Sequence, residues 1–479
     1  MTLLVLTTEP PPLPGLPTTG AGLRAWGLTF GLRSAGHANV ILGYAADSVR
    51  GVDSAKLRIP GVEPFERGEL AAFIDRHNPS AVILQHWGLG ASLPKLQCPL
   101  AVDLAGPHLL ERALWGSRTP DRDRAEKVAL LSRADYVVCS GVYQRHYFLP
   151  FLLEAGFPVT SDLCPVIPFS VSPSLPTPAK DRDLTSFVQS GFFLPWQDPS
   201  NALLGTLDAL AEKQKGSLTV IGGPHPAGDV SRGQYDGLLK RLEEHPQATV
   251  QGVMPFDQLV GLLGNRGVAL DLFARNLERE LAYPTRTIVY LWAGLPVIHN
   301  NYDELAPIIE AHKCGWTVDP QDSEGLGRII RRILSHPSDV QKRSDAAREL
   351  IREQFTWDKT ITPLAAWCGA PVFREGKPSM EHEVRLLGAA LNREAAVDLA
   401  DGREDQGVLP EERPLGAKRK RSSSLNGGRV TYSPPTPDNH PAYVQQAAAV
   451  LIAILGFFAA LFLLVIFAGQ EFMKRIVRR

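Results

Sequence analysis

The chain contains 479 residues, of which 44% are hydrophobic and 21% charged, and its formal net charge is -1 at pH 7. Because a single domain usually holds about 100 to 200 residues, this length predicts two domains and an appendage. The balanced charge provides no overall attraction to a polyanion, so no nucleic-acid partner is expected. The five cysteines show no CxxC or Cys/His metal spacing, which indicates buried thiols in a reducing compartment and predicts no metal site.

The first 169 residues alternate short apolar runs with amphipathic stretches, a pattern typical of a parallel sheet covered by helices. The apolar run after Met1 has no basic leader and ends at Glu9, so it predicts a buried strand rather than a signal peptide, and a cytosolic body. Residues 1–169 are therefore predicted to form one doubly wound α/β domain. The predicted helices include 23–35 and 121–133, and the predicted strands are 3–7, 40–43, 81–85, 100–103 and 136–139.

A second α/β alternation follows a proline-rich stretch. Three prolines interrupt the periodicity of residues 170–183, which indicates an interdomain linker. Residues 184–370 then predict a second domain of similar size, so that two domains face a cleft. Its predicted strands are 185–189, 218–222, 268–272 and 296–299.

The last hundred residues differ in composition from the two domains. Apolar periodicity fades in residues 371–446, and charged residues, Ser, Gly and Pro dominate, which predicts a mostly disordered linker. The 23 residues 447–469 carry no charge, and about 20 are enough to cross a hydrocarbon core as a helix. This segment is therefore predicted to be a C-terminal transmembrane helix, followed by the basic tail 470–479.

Two glycines stand before the first predicted helix. Gly20 and Gly22, followed by Arg24, give a GxG spacing with alanine in place of a third glycine. Glycines allow a backbone to approach a ligand closely, and a helix N-terminus offers N–H groups to an anion. The pattern favours anion binding by this loop; a plain tight turn is the alternative.

A loop rich in charge precedes a helix of the second domain. Glu278, Arg279 and Glu280 lead into a helix whose first turn carries Thr285 and Arg286. Such a helix start can hold a diphosphate, Arg286 can pair with it, and a carboxylate can accept hydrogen bonds from sugar hydroxyls. The alternative is that the charged residues form a solvated face.

On these motifs the chain resembles the bacterial family-4 glycosyltransferases over roughly residues 3–367. The resemblance implies two Rossmann-like domains in the GT-B arrangement, the first on the acceptor side, and a retaining, metal-independent transfer with a nucleoside diphosphate sugar as donor and no other cofactor. The matching pieces are the glycine loop ending in Arg24, Gly36 and His37, the strand end 135–140, the donor-domain opening 191–199 with Gly191 and Trp196, and the segment 294–298.

The hallmark of that family is two glutamates separated by seven residues. Glu278 or Glu280 can be the first, but Arg286 and Ile288 occupy the corresponding second positions. We predict an active enzyme in which Glu278 and Arg286 are catalytic and Arg279, Glu280 and Thr285 bind the donor. The alternative is a non-catalytic GT-B scaffold in a membrane glycan-assembly complex; a GT-B sugar-nucleotide epimerase is a weaker third.

Polar residues also follow strands of the first domain. Asp103, His86 and His108 lie where strands are predicted to end, at the edge where open α/β sheets bind ligands. Asp103 or a histidine can polarise an acceptor hydroxyl as a general base, although each histidine can also be a hydrogen-bonded loop residue. Trp196 can stack on a sugar or a base, or simply pack.

Together these features predict a transferase at the bacterial inner membrane that acts on a lipid-linked or glycan acceptor in surface polysaccharide synthesis. The orientation of the predicted span is open. The basic tail 470–479 favours a cytosolic C-terminus, whereas a nucleotide-sugar enzyme needs a cytosolic body. Either the tail is translocated against this bias, or the segment is embedded in one leaflet, or the body lies outside; we predict a cytosolic body.

Overall fold

The structure of the protein is a computed structural model that describes residues 1–49, 59–85, 87–117, 119–223, 233–378, 385 and 387–390. The chain divides into two compact units, Met1–Asp405 and Gln406–Arg479, and every described residue belongs to the first. The predicted transmembrane helix 447–469 and the basic tail 470–479 lie outside the described residues, as does most of the predicted linker.

The first sheet is parallel, as the alternation of apolar runs and helices predicts. Its strands are β1 (Thr2–Thr7), β2 (Asn39–Ala45), β3 (Val62–Phe65), β4 (Ala81–Leu84), β5 (Leu100–Leu104) and β6 (Tyr136–Cys139). Their order across the sheet is β3-β2-β1-β4-β5-β6. The helices between them are α1 (Gly20–Ser34), α2 (Leu70–His77), α3 (His108–Leu114), α4 (Pro120–Arg133) and α5 (Val142–Glu154), with short 3-10 helices at Ala46–Val49, Arg67–Glu69 and Trp87–Leu89.

The second sheet is also parallel and six-stranded. Its strands are β7 (Ser186–Phe192), β8 (Ser217–Gly223), β9 (Ala248–Gln251), β10 (Val268–Asp271), β11 (Val297–Asn300) and β12 (Gly315–Val318), in the order β12-β11-β10-β7-β8-β9. The helices of this half are α6 (Ser200–Lys213), α7 (Asp236–Glu243), α8 (Phe256–Leu263), α9 (Leu277–Leu281), α10 (Thr285–Trp292), α11 (Ala306–His312), α12 (Ser323–Ser335), α13 (Pro337–Gln354), α14 (Trp357–Thr360) and α15 (Thr362–Gly369).

The central strands are buried on both faces, which explains why they are continuous apolar runs rather than alternating ones. In β1 the four residues from Leu3 to Leu6 have no exposed surface, and Phe187 and Val188 of β7 have none either. Both strands lie in the interior of their sheets, with helices packed on either side. The two predicted α/β cores are therefore confirmed, one around each sheet.

The last two helices return from the second sheet to the first. Val171 exchanges backbone hydrogen bonds with Phe355 and Trp357. The segment that leaves the first half and the segment that returns to it therefore lie side by side. Leu364 and Cys368 of α15 are then buried in the core of the first sheet. The two halves are thus joined by packed helices as well as by the stretch 170–183.

Among the residues described, no helix is both long and apolar enough to cross a membrane. All five cysteines are free thiols; Cys98 is half-buried and the other four are buried. Burial raises the pKa of Cys314 and of Cys368 to about 12, which keeps both thiols protonated. The prediction of buried thiols is confirmed for those four.

Candidate active site

Gly20 and Gly22, predicted to precede the first helix, form the first turn of α1, and Gly20 meets the start of α10. Thr19 caps α1 by accepting a hydrogen bond from the Gly22 N–H at 3.0 Å. A Cβ on Gly22 would overlap the carbonyl oxygen of Pro10, and a Cβ on Gly20 would lie 3.0 Å from Oγ1 of Thr285. The absence of a side chain at Gly20 therefore allows the start of α1 to approach the start of α10, whereas that at Gly22 allows α1 to pack against Pro10.

Arg24 and Asp103 form a buried ion pair instead of two separate ligand-binding groups. Arg24 Nε and Nη2 donate to the two carboxylate oxygens of Asp103 at 3.0 and 2.9 Å. Its Nη1 donates to the carbonyl oxygens of Ile167 and Pro168 at 2.7 and 2.9 Å. Arg24 is 3% exposed and Asp103 1%. Asp103 pairs with Arg24 and its side chain has no exposed surface, so it presents no oxygen to an acceptor hydroxyl as the predicted general base would.

Arg286 lies against the end of β7, where the sequence places a glycine. Its Nη2 donates to Oε1 of Gln197 at 2.9 Å, and its Nη1 lies 3.4 Å from Oδ1 of Asp271. The guanidinium also stacks on the Phe273 ring, 4.7 Å from the centroid. A Cβ at Gly191, whose φ is +137°, would lie 2.5 Å from Nη2 of Arg286. Only glycine at this position leaves room for the guanidinium.

A buried polar cluster lies behind Arg286. Thr287 Oγ1 donates to Oδ2 of Asp271 at 2.5 Å and lies 3.0 Å from Nδ1 of His299. The other ring nitrogen of His299 lies 2.9 Å from Asp303. Burial lowers the pKa of His299, but Asp303 and then Asp271 outweigh that effect, so the pKa is raised overall. The cluster joins α10 to the carboxyl ends of β10 and β11.

The charged loop of the second half forms two ion pairs on α9. Arg279 donates to both carboxylate oxygens of Glu278 at 2.5 and 2.6 Å, and Arg275 pairs with Glu280 at 2.7 Å. Glu278 is 1% exposed, and burial raises the pKa of its carboxyl against the opposing effect of Arg279. Glu280 alone belongs to a partly exposed pair. Glu278 is therefore the buried ion-pair partner of Arg279.

Two of the other predicted residues, Trp196 and His108, lie beside α9 and at the start of α3. Asn276 caps α9 by accepting from Arg279 N at 3.0 Å, and its Nδ2 donates to the carbonyl oxygen of Trp196 at 2.9 Å. Trp196 is half-buried. His108 begins α3, and its Nδ1 lies 3.9 Å from a carboxylate oxygen of Glu111. His86 lies outside the described residues.

A carboxylate of the second half caps a helix of the first. Glu304 accepts hydrogen bonds from the backbone N–H groups of Val142 and Tyr143 at 3.2 and 3.0 Å, at the start of α5. A Cβ on Gly141 would lie 2.5 Å from the same carboxylate. Burial raises the pKa of the Glu304 carboxyl, although these two N–H groups oppose the effect. The cap fixes the two halves against each other at the cleft.

Sequence reasoning did not select Gln197, Asp271, His299 or Glu304. Asp271 and His299 belong to predicted strands, 268–272 and 296–299, so the rule that ligands bind at the carboxyl edge of a sheet is the signal that could have found them. Nothing in the sequence around Glu304 identifies it as a helix cap, because its partners lie 161 and 162 residues away.

The cleft is thus lined by helix N-termini and arginines. Thr285, in the first turn of α10, lies against Gly20, and Arg286 beside it lies against Gly191. In the part of the chain that the structure describes, no group of three or more His, Cys, Asp or Glu side chains could hold a metal ion.

No protein-family model matches the chain. A glycogen synthase of Mycobacterium tuberculosis strain CDC 1551 / Oshkosh is 30% identical over 73 residues, which are 15% of this chain and 18% of the relative. The chain therefore spans less than a fifth of the length of the curated relatives that it matches.

Two solved structures match over most of the chain. Sucrose-phosphate synthase from Thermosynechococcus elongatus has a TM-score of 0.57 at 15% identity and covers 76% of this chain and 98% of its own. Anabaena HepE, in complex with UDP and glucose, has a TM-score of 0.57 at 15% identity, with 77% and 100% covered. At these identities the likeness concerns the fold. The chain has an α/β fold with two parallel six-stranded sheets, consistent with the GT-B fold.

Proposed function

We propose that the protein is a glycosyltransferase that takes a nucleoside diphosphate sugar as donor. The observation that carries this proposal is the position of Arg286, whose guanidinium lies over Gly191 at the start of α10. Across the cleft from that helix start lies the glycine loop of the first sheet. The matched HepE structure contains UDP and glucose, which supports a donor of that class.

In the proposed reaction the diphosphate leaves while positive charge develops at the anomeric carbon. Stabilisation of the leaving group is then the main task. Arg286 and the N–H groups of the first turn of α10 that follow Thr285 supply positive charge for it; the Thr285 N–H itself donates to the Tyr283 carbonyl oxygen, but its hydroxyl can add a donor. We propose a retaining transfer that needs no metal, because the arginine and the helix N-terminus provide this charge.

The proposed acceptor is a lipid-linked or growing surface glycan at the inner membrane. The 23 uncharged residues 447–469 motivate this part of the proposal, since a membrane tether raises the effective concentration of a lipid-linked acceptor near the cleft. We propose His108, at the start of α3, as the general base for the acceptor hydroxyl. The body is proposed to be cytosolic, where nucleotide sugars are available.

The test is donor turnover by the full chain in detergent, with UDP-glucose as the first donor of a nucleotide-sugar panel and membrane lipid extract as acceptor. Arg286→Gln is expected to lower UDP release by on the order of a hundred-fold, since it removes a charged donor to the leaving group. Arg328→Gln is the matched control, because Arg328 is 58% exposed and pairs with Glu324 on the surface. Equal turnover by both variants, or no donor that releases its nucleotide, would refute the proposal.

A second candidate function is a non-catalytic scaffold in a glycan-assembly complex. It is favoured by the pairing of three cleft arginines with acids: Arg24 with Asp103, Arg279 with Glu278 and Arg286 with Asp271. The scaffold hypothesis predicts that Arg286→Gln leaves cellular glycan output unchanged, whereas deletion of the whole chain abolishes it. The enzyme hypothesis predicts that deletion abolishes output and that Arg286→Gln lowers it strongly.

A further inference from the structure

Three elements of the second half bring four polar side chains together in the core. Asp271 of β10 and His299 of β11 are register partners on neighbouring strands, and Thr287 of α10 lies between their side chains. Asp303 follows β11 and accepts hydrogen bonds from the Leu305 N–H and from His299. Thr287 and His299 have no exposed surface, and the two carboxylates are 3 to 4% exposed. Because none of these side chains is solvated, their donors and acceptors must form hydrogen bonds with one another.

The directions of the hydrogen bonds fix the protonation of the histidine. A carboxylate only accepts, so the single hydroxyl proton of Thr287 points to Asp271. Thr287 Oγ1 must then accept at its contact with Nδ1 of His299, and Nδ1 carries a proton. Nε2 faces the Asp303 carboxylate and carries a proton as well. Two protonated ring nitrogens make an imidazolium.

We propose that His299 is a positioning residue for the donor site: a buried imidazolium that, through Thr287, orients the Asp271 carboxylate on which Arg286 rests. The inference rests on the proposed function for its role in donor binding. With His299 charged, two cations balance the carboxylates of Asp271 and Asp303. With His299 neutral, the cluster carries one net negative charge beside the position proposed for the diphosphate.

The electrostatic surroundings of the ring agree with this assignment. The charged groups that face it are Asp303 at Nε2 and Asp271 beyond Thr287, and both raise its pKa against the effect of burial. Arg286 lies on the far side of Asp271. A raised pKa means that the imidazolium persists above the ordinary value of about 6.5 and is lost only as the pH rises through the higher folded value.

The experiment uses the full chain with 15N-labelled histidine, and UDP as the probe ligand. Ring-nitrogen NMR at pH 7.5 is expected to show both nitrogens of His299 protonated. UDP affinity by calorimetry is expected to weaken as the pH rises above neutral, a range in which the terminal phosphate of UDP is already ionised. Thr287→Val, which cuts the link to Asp271, is expected to weaken UDP binding on the order of ten-fold, while Thr287→Ser retains the hydroxyl and the wild-type affinity.

A neutral His299 ring at pH 7.5, equal UDP affinity of the valine and serine variants, or a flat pH profile of the wild type would each overturn the inference. The NMR measurement needs no variant to fold, and melting temperatures of the two Thr287 variants separate a loss of stability from a loss of affinity. If the wild-type chain binds no UDP at any pH, the proposed function fails. The NMR spectrum then tests only the charge of His299: two protonated ring nitrogens support the imidazolium, and one refutes it.

Discussion

The ion pair between Arg24 and Asp103 offers the sharpest test of how the first half is held together. Asp103→Leu removes the carboxylate and leaves the guanidinium in place, 3% exposed. Arg24 keeps the carbonyl oxygens of Ile167 and Pro168 as acceptors, but Nε and Nη2 lose theirs. The change therefore leaves a buried cation without a counter-charge.

The size of the effect follows from that geometry. Removing one partner of a buried ion pair costs about 3 to 5 kcal/mol, because the remaining charge is desolvated and unpaired. For a domain of about 150 to 250 residues, 1 kcal/mol shifts the melting temperature by about 2 to 4 °C, so the expected drop is roughly 6 to 20 °C. The double substitution Arg24→Leu with Asp103→Leu is expected to recover part of the loss, since it removes the charge itself.

Differential scanning calorimetry of the full chain measures the effect. The matched control is Asp47→Leu, which breaks the pair between Asp47 and Arg67, whose side chains are 31% and 41% exposed. An exposed pair contributes about 0 to 1 kcal/mol, so this control is expected to melt within a few degrees of the wild type. The reasoning is refuted if the Asp103 and Asp47 variants melt together, or if the double variant is no more stable than Asp103→Leu.

Three further predictions follow from single contacts. Gly191→Ala is expected to displace Arg286 and abolish UDP binding in calorimetry, whereas Gly205→Ala in α6, where the nearest atom is 3.4 Å from the new Cβ, leaves it intact. Burial lowers the pKa of Lys127 to about 7, below the unfolded value of about 10.4. The free energy of unfolding is therefore highest above pH 10.4 and falls by roughly 4 kcal/mol as the pH falls to 7. The melting temperature should therefore rise between pH 7 and 10, and Lys127→Met should flatten that rise; an equal slope in both proteins contradicts it. Glu304→Ala is expected to cost about 1 kcal/mol and to speed hydrogen exchange at the start of α5; unchanged exchange there would contradict the cap.

The sequence predicts the central strands well because they are continuous apolar runs. Strands 81–85 and 100–103 agree with β4 and β5, both inside the first sheet, to within one residue. The strands that were not predicted, β3, β9 and β12, all lie at the edge of a sheet. They are four residues long and partly exposed, and β3 contains Pro64, so they lack the apolar run on which the prediction depends.

The site could be predicted only in part, for a related reason. Glycines before a helix and an arginine in its first turn are local signals, and they identify Gly20 and Arg286. Pairing is not local: Arg24 and Asp103 are 79 residues apart, and Arg286 and Gln197 are 89 apart. A charged residue in the sequence is therefore a candidate for ligand binding, but the sequence does not show whether it already pairs with an opposite charge in the fold.

That distinction separates the cleft arginines from one another. Arg24 and Arg279 each hold their acid through two hydrogen bonds of 3.0 Å or less, with side chains 3% and 13% exposed. Arg286 lies 3.4 Å from its acid, donates otherwise to a neutral amide, and is 19% exposed. If Arg286 exchanges its one long contact for a diphosphate, the buried Asp271 carboxylate keeps the Thr287 hydroxyl as a donor. If Arg24 or Arg279 did so, Asp103 or Glu278 would lose both of its side-chain donors while buried. We therefore expect the donor to bind at Arg286, with Arg24 and Arg279 acting as supports for the cleft.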